Sequence, residues 1–200
     1  MKSPWSYIVS ITLCVLLIGC ALEPRGVLLK EGAVLQPIEI KPLPSELGFQ
    51  GSLTQVVTGR FGEQTDQLRF EVNISDEQLV LVGLTSVGIP AFSLIYDGHD
   101  TISRTHLPGV NLPDPAWILA DFLLSNAPYA VLKPLLSAQN LDIHEGAEVR
   151  QITNVEGEVL IEIRYEDVAQ PRFAQDLRLQ NRRLGYDLLV KTALHNIRAD

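Results

Sequence analysis

The stretch Gln67-Leu68-Arg69-Phe70-Glu71-Val72-Asn73-Ile74 decides the fold of this 200-residue chain. Its apolar side chains, at positions 68, 70, 72 and 74, alternate with polar ones. Successive side chains of a β-strand point to opposite faces of a sheet, so one set is buried and the other meets water. The stretch therefore predicts a half-buried strand of an antiparallel sheet.

Similar segments lie on both sides of this stretch. They predict further strands over residues 53–60, 78–85 and 91–96, and later over 148–153, 158–165, 173–180 and 184–191. The four later segments are joined by tight links, as in a β-meander. One face of the strand over 158–165 carries Val159, Ile161, Ile163 and Tyr165, and one face of the strand over 173–180 carries Phe173, Gln175, Leu177 and Leu179.

The middle of the chain has helical signals instead. Asp114 is a good N-cap and Pro115 suits the first helical position, which predicts a short amphipathic helix through Leu124 with Trp117 on its apolar stripe. A second helical piece follows over 129–138, and Pro134 is expected to kink it into two abutting turns. Strands, then helices, then strands predict an α+β fold, an antiparallel sheet with short helices segregated to one side.

The N-terminus carries a signal of another kind, Leu17-Ile18-Gly19-Cys20 after an apolar run that begins at Tyr7. This run is too short to cross a bilayer, which takes about 20 apolar residues, but it suits a signal peptide. The sequence predicts a lipoprotein signal peptide over residues 1–19, cleaved before Cys20, with acyl chains on the thiol and amine of Cys20. The alternatives are an uncleaved anchor and an ordinary signal peptide in which Cys20 is incidental.

The segment after Cys20 is rich in proline, which disfavours regular helix and stiffens an extended chain. We expect residues 20–47 to form an acylated tether and residues 48–200 to form the domain. Alternatively, the apolar stretches 27–29 and 38–40 dock on the domain as an edge strand. Ala21, where inner-membrane lipoproteins carry an acidic residue, resembles the outer-membrane class and predicts the periplasmic face of a Gram-negative outer membrane.

The chain is acidic, with a formal net charge of −8 that becomes −9 when Lys2 leaves with the signal peptide. An acidic chain without a basic run argues against binding nucleic acid or anionic lipid by charge. Membrane contact is therefore expected through acylated Cys20. Since Cys14 also leaves with the signal peptide, no disulfide is expected.

Three segments behind the acylation signal carry a family resemblance: residues 70–74, residues 92–98 (Phe-Ser-Leu-Ile-Tyr-Asp-Gly) and residues 115–121 (Pro-Ala-Trp-Ile-Leu-Ala-Asp). Together they resemble the LolB-like outer-membrane lipoproteins, most closely those associated with aryl-polyene-type pigment gene clusters, over about residues 48–192. The resemblance implies a curved antiparallel sheet, an incomplete barrel in which the helices form a lid over an apolar cavity for acyl chains. It also implies a periplasmic LolA-like carrier as partner and no catalysis.

On this resemblance, ten apolar side chains are candidates for the cavity wall; the alternative is that they are ordinary core, because a filled core has the same period. They are Phe70, Val72, Leu81, Phe92, Leu94, Trp117, Leu124, Ile161, Ile163 and Leu177. Val87 or Ile89, in the loop after the strand over 78–85, corresponds to a projecting loop with which the family contacts the membrane. The alternative is a structural turn.

Few residues suggest chemistry. Asp97, His99, Asp100, His106 and Asp114 lie in a loop without recognised metal-ligand spacing, which favours a polar turn. No nucleophile or phosphate-binding motif is present, so we expect no enzyme, cofactor or metal. Glutamates 158, 162 and 166 fit a solvated strand face. Arginines 172, 178, 182 and 183 fit either a contact with an acidic carrier or lipid head groups, or a solvated sheet edge.

The leading hypothesis is an outer-membrane lipoprotein that binds a lipid, acyl chain or lipidated cargo and assists its localisation to the outer membrane. The alternative is a non-catalytic scaffold or adaptor that docks a periplasmic export or biosynthetic complex through its last hairpin. A lipid hydrolase or transferase that uses Asp97 and His99 is the third possibility.

Overall fold

The computed structural model describes residues 36–107 and 113–199. They belong to one compact unit, Val34–Asp200, which has its own hydrophobic core and so the requirements of an independently folding domain. The predicted signal peptide, Cys20, Ala21 and the apolar stretch 27–29 lie outside the described residues. Within 36–107 and 113–199, no helix combines the length and the hydropathy of a membrane span.

Ten antiparallel strands form one open sheet in the spatial order β5-β4-β3-β2-β1-β10-β9-β8-β7-β6. Every neighbouring pair along the sheet is a hydrogen-bonded antiparallel ladder. The strands are β1 (Phe49–Phe61), β2 (Gln64–Ile74), β3 (Leu79–Leu84), β4 (Pro90–Tyr96), β5 (Thr101–Thr105), β6 (Leu141–Glu145), β7 (Val149–Asn154), β8 (Val159–Tyr165), β9 (Leu177–Asn181) and β10 (Tyr186–Ala199).

The two helices, α1 (Pro115–Asn126) and α2 (Tyr129–Ser137), connect the two edge strands, β5 and β6. Apolar residues from both halves of the sheet and from both helices form a single buried cluster. One face of a sheet can meet itself in one core only if the sheet curves, so we describe an inner face that wraps around the helices and an outer face toward solvent. The predicted α+β class, a curved antiparallel sheet with short helices segregated on one side, is confirmed.

Several predicted boundaries are wrong, and two strands were missed. Residues in β5 are all exposed, so they show no alternation, and β6 has only five residues with one fully buried side chain. Phe173 lies in a short 3-10 helix, Arg172–Ala174, before β9 begins at Leu177. Phe173 and Leu177, predicted to share a buried face, are nevertheless both buried.

Both helices differ from their predictions. Every residue of α1 from Leu119 to Asn126 is buried, so this helix is enclosed rather than amphipathic. Helix α2 continues through Pro134 from Tyr129 to Ser137. The proline removes one backbone donor, and the remaining hydrogen bonds, together with buried Leu132 and Leu136, hold the helix as one piece.

The C-terminal end of α1 is fixed by two side chains from the sheet. Arg150 of β7 is fully buried and donates from Nη1 to the carbonyl oxygens of Leu124 (2.6 Å) and Ala127 (2.9 Å). Tyr165 of β8 donates from its hydroxyl to the carbonyl oxygen of Ser125 at 2.8 Å. Terminal helix carbonyls have no partner within the helix, so these bonds satisfy groups that burial would otherwise leave unpaired.

The last part of the predicted tether packs on the domain. Ile38 and Ile40 are buried in the core, and the Tyr96 hydroxyl donates to the carbonyl oxygen of Pro42 at 2.8 Å. Gln139 exchanges two hydrogen bonds with the backbone of Glu39. The stretch 38–40 therefore docks on the domain, as one alternative predicted. It forms no strand, because Glu39 bonds to the Gln139 side chain and the Ile40 amide bonds to the carbonyl oxygen of Ile38, so no ladder forms with a neighbouring strand.

Candidate functional site

A cavity of about 970 Å³ lies between α1 and the inner face of the five strands β3, β2, β1, β10 and β9. Sites for small molecules commonly span roughly 300–1,000 Å³. The described residues around it come from α1, its preceding turn and these strands. The volume therefore suits one extended ligand.

One stripe of α1 forms the helical wall. The lining positions from the N-cap onward are spaced by three and four residues, the repeat of one helix face: Asp114, Trp117, Ile118, Asp121, Phe122, Ser125 and Asn126. Four of these seven side chains are polar. Of the two candidate wall residues on this helix, Trp117 lines the cavity, whereas Leu124 is buried and does not line it.

Cross-strand rows of apolar side chains form the opposite wall. Leu68 pairs with Val57, Val57 with Val190, and Val190 with Leu177, so one row crosses β2, β1, β10 and β9. In the next row toward the β1–β2 hairpin, Gly59 pairs with Leu188. Gly59 adds no side chain there, and the ring of Phe61 occupies that position, since a Cβ on Gly59 would come within 2.8 Å of it. The registers thus create a smooth apolar surface.

The ten predicted wall residues divide into two groups. Phe70, Leu81, Trp117 and Leu177 line the cavity. Val72, Phe92, Leu94, Leu124, Ile161 and Ile163 are buried in the core and do not line it. Phe92, for example, packs into the space beside Gly83, where a Cβ would come within 2.3 Å of its ring. Whether any of the ten contacts a ligand stays a prediction.

A buried polar group interrupts the apolar wall. The Tyr186 hydroxyl donates to Oδ2 of Asp121 and accepts from Nδ2 of Asn181 at 3.0 Å. Burial raises the pKa of Asp121 to about 7, although the hydrogen bond from Tyr186 acts in the opposite direction. Burial, followed by the nearby Asp121 carboxyl, also raises the pKa of Tyr186. Asp121 and Tyr186 both line the cavity, so its surface carries an acid that is largely protonated below neutral pH.

Two amides lie at the end of the cavity away from Asp114. The Nδ2 of Asn126 donates to the carbonyl oxygen of Phe122 at 2.8 Å, while its Oδ1 is buried and has no partner among the described residues. Gln55 is buried opposite, on β1, and its Nε2 lies 3.4 Å from the hydroxyl oxygen of Thr192. Because the Oδ1 is fully buried, Asn126 lines the cavity through its other atoms.

The other end of the cavity opens to solvent. Residues 64–67 of β2, together with Pro113 and Asp114, line it and are exposed. Arg183 lies beside this mouth, with its guanidinium 5.9 Å from the centre of the Trp117 ring and Nη2 donating to the carbonyl oxygen of Gln36 at 3.0 Å. The lining includes three acids, Asp66, Asp114 and Asp121, and no lysine or arginine in the described part of the chain.

The predicted membrane-facing loop lies between β3 and β4. Val87 is 78% exposed and Ile89 is 50% exposed. The loop is closed by backbone hydrogen bonds from Thr85 to Ile89 and from Gly88 to Thr85, each 2.9 Å. It is therefore a tight turn that presents two apolar side chains to solvent, and contact with a membrane stays a prediction.

The hydrogen bonds around Asp97 agree with the predicted polar turn. The Asp97 side chain accepts from the backbone of His99 (2.9 Å) and Asp100 (2.8 Å), and these bonds lower its pKa. Elsewhere, the Nε2 of His106 lies 3.0 Å from the Ser93 hydroxyl. Over residues 36–107 and 113–199, no three metal-capable side chains come together.

The charged residues of the later strands pair with one another. Arg178 lies 3.7 Å from Glu166, Arg182 lies 3.7 Å from Glu162, and Arg172 lies 3.0 Å from Glu145. The proposed solvated edge is wrong, because β9 and β10 lie in the middle of the sheet. Glu162 is also buried, contrary to the predicted solvated face, since Gln151 and Arg164 bond its carboxylate and lower its pKa.

Sequence reasoning missed three polar residues of the cavity, Asp121, Asn126 and Tyr186, and Asn181, which bonds to the Tyr186 hydroxyl. The signal for two of them was available, because Asp121 and Asn126 share the helical spacing of Trp117 and Phe122. Tyr186 and Asn181 lie across the turn between β9 and β10 and pair directly in the ladder. Their approach to α1 depends on the curvature of the sheet, which spacing does not reveal.

Comparison with known proteins identifies the family. Residues 52–194 match the family described as "Protein of unknown function (DUF3261)". The chain belongs to DUF3261. The matched region includes most of β1, all of α1 and the first part of β10, so the cavity is built largely from the DUF3261 region. No curated protein matches the chain.

Two solved structures show similarity to this DUF3261 chain. A LolA superfamily protein from Nitrosomonas europaea is 11% identical with a TM-score of 0.40, covering 78% of this chain and 90% of the other. A DUF1329 family protein from Desulfovibrio piger ATCC 29098 is 10% identical with a TM-score of 0.33, covering 78% of this chain and 89% of the other.

Proposed function

We propose that this protein is an outer-membrane lipoprotein that binds the apolar part of a lipid, acyl chain or lipidated cargo in the cavity and assists its localisation to the outer membrane. The observation that supports this function most directly is the cavity itself, about 970 Å³ behind an exposed mouth. A solid core would leave no room for cargo.

The apolar wall supplies the binding energy. Burying about 400 Å² of hydrocarbon at about 25 cal/mol per Å² gives about 10 kcal/mol before the cost of ordering the ligand. The wall from Leu68 to Leu177 offers apolar contacts across four strands. Binding and release of cargo therefore need no covalent step, and the proposal includes no catalysis.

The sequence supports the proposed membrane anchor and location. Acylation of Cys20 would hold the chain in the membrane, because more than one acyl chain anchors stably. Ala21 favours the outer membrane, and the LolB resemblance favours a LolA-like periplasmic carrier as donor. The resemblance to lipoproteins of aryl-polyene-type gene clusters makes a polyene lipid one candidate cargo. Val87 and Ile89 are exposed apolar residues suited to touching the bilayer.

The scaffold alternative depends on free cations in the last hairpin. Arg178 and Arg182 each lie near a glutamate of β8 or its following turn, and Arg183 contacts Trp117 and Gln36. These contacts leave the hairpin less positive charge for an acidic partner. The cavity therefore supports cargo binding over a scaffold.

Binding of a neutral fluorescent probe, N-phenyl-1-naphthylamine, to residues 21–200 tests the proposal. We expect its fluorescence to rise on binding and a long-chain lipid to displace it. The double variant Val57→Phe/Leu68→Phe fills adjacent wall positions and is expected to weaken binding at least about tenfold, since overpacking removes the space.

The matched control is Val80→Phe, which adds similar volume on the outer face, where Val80 pairs with exposed Ile95. This variant is expected to bind like the wild type. No probe binding to the folded wild-type chain, or equal loss in both variants, would remove the cargo role. Fractionation of cells that carry Cys20→Ser tests the anchor: we expect the chain to leave the outer-membrane fraction.

A further inference from the structure

Among the described residues that line the cavity, Asp121 is the acid that is buried. It lines the cavity from α1, and its Oδ2 accepts the hydrogen bond of the Tyr186 hydroxyl. Asp66 and Asp114 also line the cavity, but they lie at the mouth and are exposed. No described lysine, arginine or histidine forms an ion pair with Asp121. A chain bound in the cavity would therefore pack against a carboxyl whose described partner is a neutral hydroxyl.

Few other titratable groups lie around Asp121 in the described part of the chain. Tyr186 of β10 is bonded to it. Asp66 of β2 and Asp114, before α1, are exposed to solvent, and Arg183 lies beside the mouth in the turn between β9 and β10. The described lining residues from β1, β3 and β9 are apolar or uncharged, and they include no histidine. A response of the cavity to pH near neutrality would therefore come from Asp121.

The charge on Asp121 changes the cost of binding an apolar chain. When no chain is bound, a cavity of about 970 Å³ with polar groups in its wall is roomy enough to admit water, which solvates the carboxylate. A hydrocarbon chain displaces that water and brings no polar group in exchange. The loss of solvation is small for a neutral carboxylic acid and large for a carboxylate. Binding therefore favours the protonated form of Asp121.

Binding of the chain and binding of the proton then depend on each other. Burial already raises the pKa of Asp121 to about 7, so both of its forms are populated near neutral pH. A chain that excludes water takes more solvation from the carboxylate and raises this pKa further. Between the two pKa values the complex holds more protons than the free protein. The affinity is therefore greatest below the pKa of the free protein and falls as the pH rises through about 7.

We propose that Asp121 couples the binding of an apolar chain to the uptake of one proton, so that the cavity holds its cargo tightly at acidic pH and releases it as the pH rises above neutrality. This inference rests on the proposed function, because it takes the cavity as the site of the apolar chain. It adds one condition that favours uptake of cargo and another that favours its release. The apolar rows supply the affinity, and the carboxyl sets its dependence on pH.

The test measures the affinity of residues 21–200 for N-phenyl-1-naphthylamine, which carries no charge at pH 5.5 or pH 8.5, at these two pH values. We expect binding to weaken about five- to twentyfold from pH 5.5 to pH 8.5, a loss that approaches tenfold for each unit that the bound chain adds to the pKa. Circular dichroism at both pH values shows that the protein is folded. The variant Asp121→Asn keeps the shape of the side chain without its ionisation, and its affinity is expected to change by less than about twofold.

The matched control is Asp187→Asn, which makes the same substitution at the next position of β10. Asp187 does not line the cavity, is exposed and pairs with Arg60 at 2.8 Å. This variant loses the same formal charge on the other face of the strand. It is therefore expected to keep both the affinity and the pH dependence of the wild type.

Calorimetry on the wild type measures the proton uptake without a variant. Decyl maltoside, an uncharged single-chain amphiphile, is titrated below its micelle concentration in two buffers of different ionisation enthalpy. We expect uptake of about half a proton per bound chain at pH 7 and close to none at pH 5, where the free carboxyl is already protonated. If Asp121→Asn does not fold, this measurement decides alone.

Three results would overturn the inference while the cargo role stands. They are a wild-type affinity that changes by less than about twofold between the two pH values, a pH dependence that folded Asp121→Asn retains in full, and chain binding at pH 7 without proton uptake. Failure of the probe to bind at either pH would instead contradict the proposed function, so the two failures are distinguishable.

Discussion

At the scale of single residues, two buried ionisable side chains, Asp121 of α1 and Arg150 of β7, define the interior. Arg150 has a structural role, because it donates hydrogen bonds to carbonyl oxygens at the end of α1 and pairs with Glu145 at 2.7 Å. Asp121 has one hydrogen bond from Tyr186 and faces the cavity. Both side chains are buried. Arg150 has several partners, which indicates a structural role, whereas Asp121 has one and is a candidate binding residue.

We expect Arg150→Met to lower the free energy of unfolding by about 3–5 kcal/mol, because it leaves buried helix carbonyls without their donor and leaves the Glu145 carboxylate with Arg172 alone. Urea denaturation followed by circular dichroism measures it. The control Arg178→Met removes an exposed arginine whose nearest acid is 3.7 Å away, and is expected to cost under about 1 kcal/mol. Equal losses in the two variants would mean that Arg150 does not fix α1.

Asp121 makes the stability depend on pH. Its pKa is raised to about 7 in the folded protein from 3.8, so between these values the folded state holds more protons than the unfolded state. Stability from this group is therefore largest below pH 4 and falls as the pH rises to about 7. The other charged or titratable groups near the mouth, Asp66, Asp114 and Arg183, remain in the variant Asp121→Asn and cancel in the comparison.

Denaturation of the wild type and Asp121→Asn at pH 5 and pH 8 measures this effect. We expect the wild type to lose stability relative to Asp121→Asn between the two pH values, by on the order of 1–3 kcal/mol. Parallel behaviour of the two proteins would show that the Asp121 carboxyl ionises as freely in the fold as in the unfolded chain.

At the scale of elements, alternation of apolar and polar residues predicted the strands, because one face of these strands is buried and the other faces solvent. It located β2, β4 and β8 to within a few residues. It missed β5, whose five residues are all exposed, and it could not anticipate that every residue of α1 from Leu119 to Asn126 is buried. Alternation in the sequence reveals an element only where one face is buried and the other is exposed. The residues of β5 are all exposed and those of α1 from Leu119 onward are all buried, so neither shows alternation.

The docked segment before β1 is expected to contribute to stability. Ile38→Ala and Ile40→Ala each remove a buried side chain and are expected to cost about 2–4 kcal/mol in thermal or urea denaturation. Glu39→Ala, between them, removes an exposed side chain paired with Lys41 and is expected to leave the stability close to that of the wild type. If all three variants behave alike, the segment is a tether that adds nothing to the core.

The loop between β3 and β4 is expected to act on membranes and not on folding. Val87→Ser/Ile89→Ser is expected to leave the melting temperature within about 2 °C while lowering the fraction of residues 21–200 that sediments with liposomes, because two exposed apolar side chains are lost. The control is Val155→Ser, which removes a side chain 73% exposed in the turn between β7 and β8. Equal partitioning of all three proteins would leave the loop a structural turn.

At the scale of the whole molecule, one inner face serves two purposes. Around Phe92, Ile161 and Ile163 it packs solidly, and around Val57, Leu68 and Leu177 it borders empty space. Sequence pattern could not separate the two, because a cavity wall and a filled core share the same period. The separation depends on how far α1 stands from the middle strands, which is set by distant contacts such as those of Arg150.

The most direct measurement uses Trp117, since the chain has two tryptophans and the other, Trp5, belongs to the predicted signal peptide. Trp117 lines the cavity, so a bromine-labelled acyl chain bound there would lie against the indole. Titration of residues 21–200 with brominated lipid is expected to quench Trp117 fluorescence saturably, and Val57→Phe/Leu68→Phe is expected to remove the quenching. Unquenched fluorescence at saturating lipid would contradict a lipid-binding cavity.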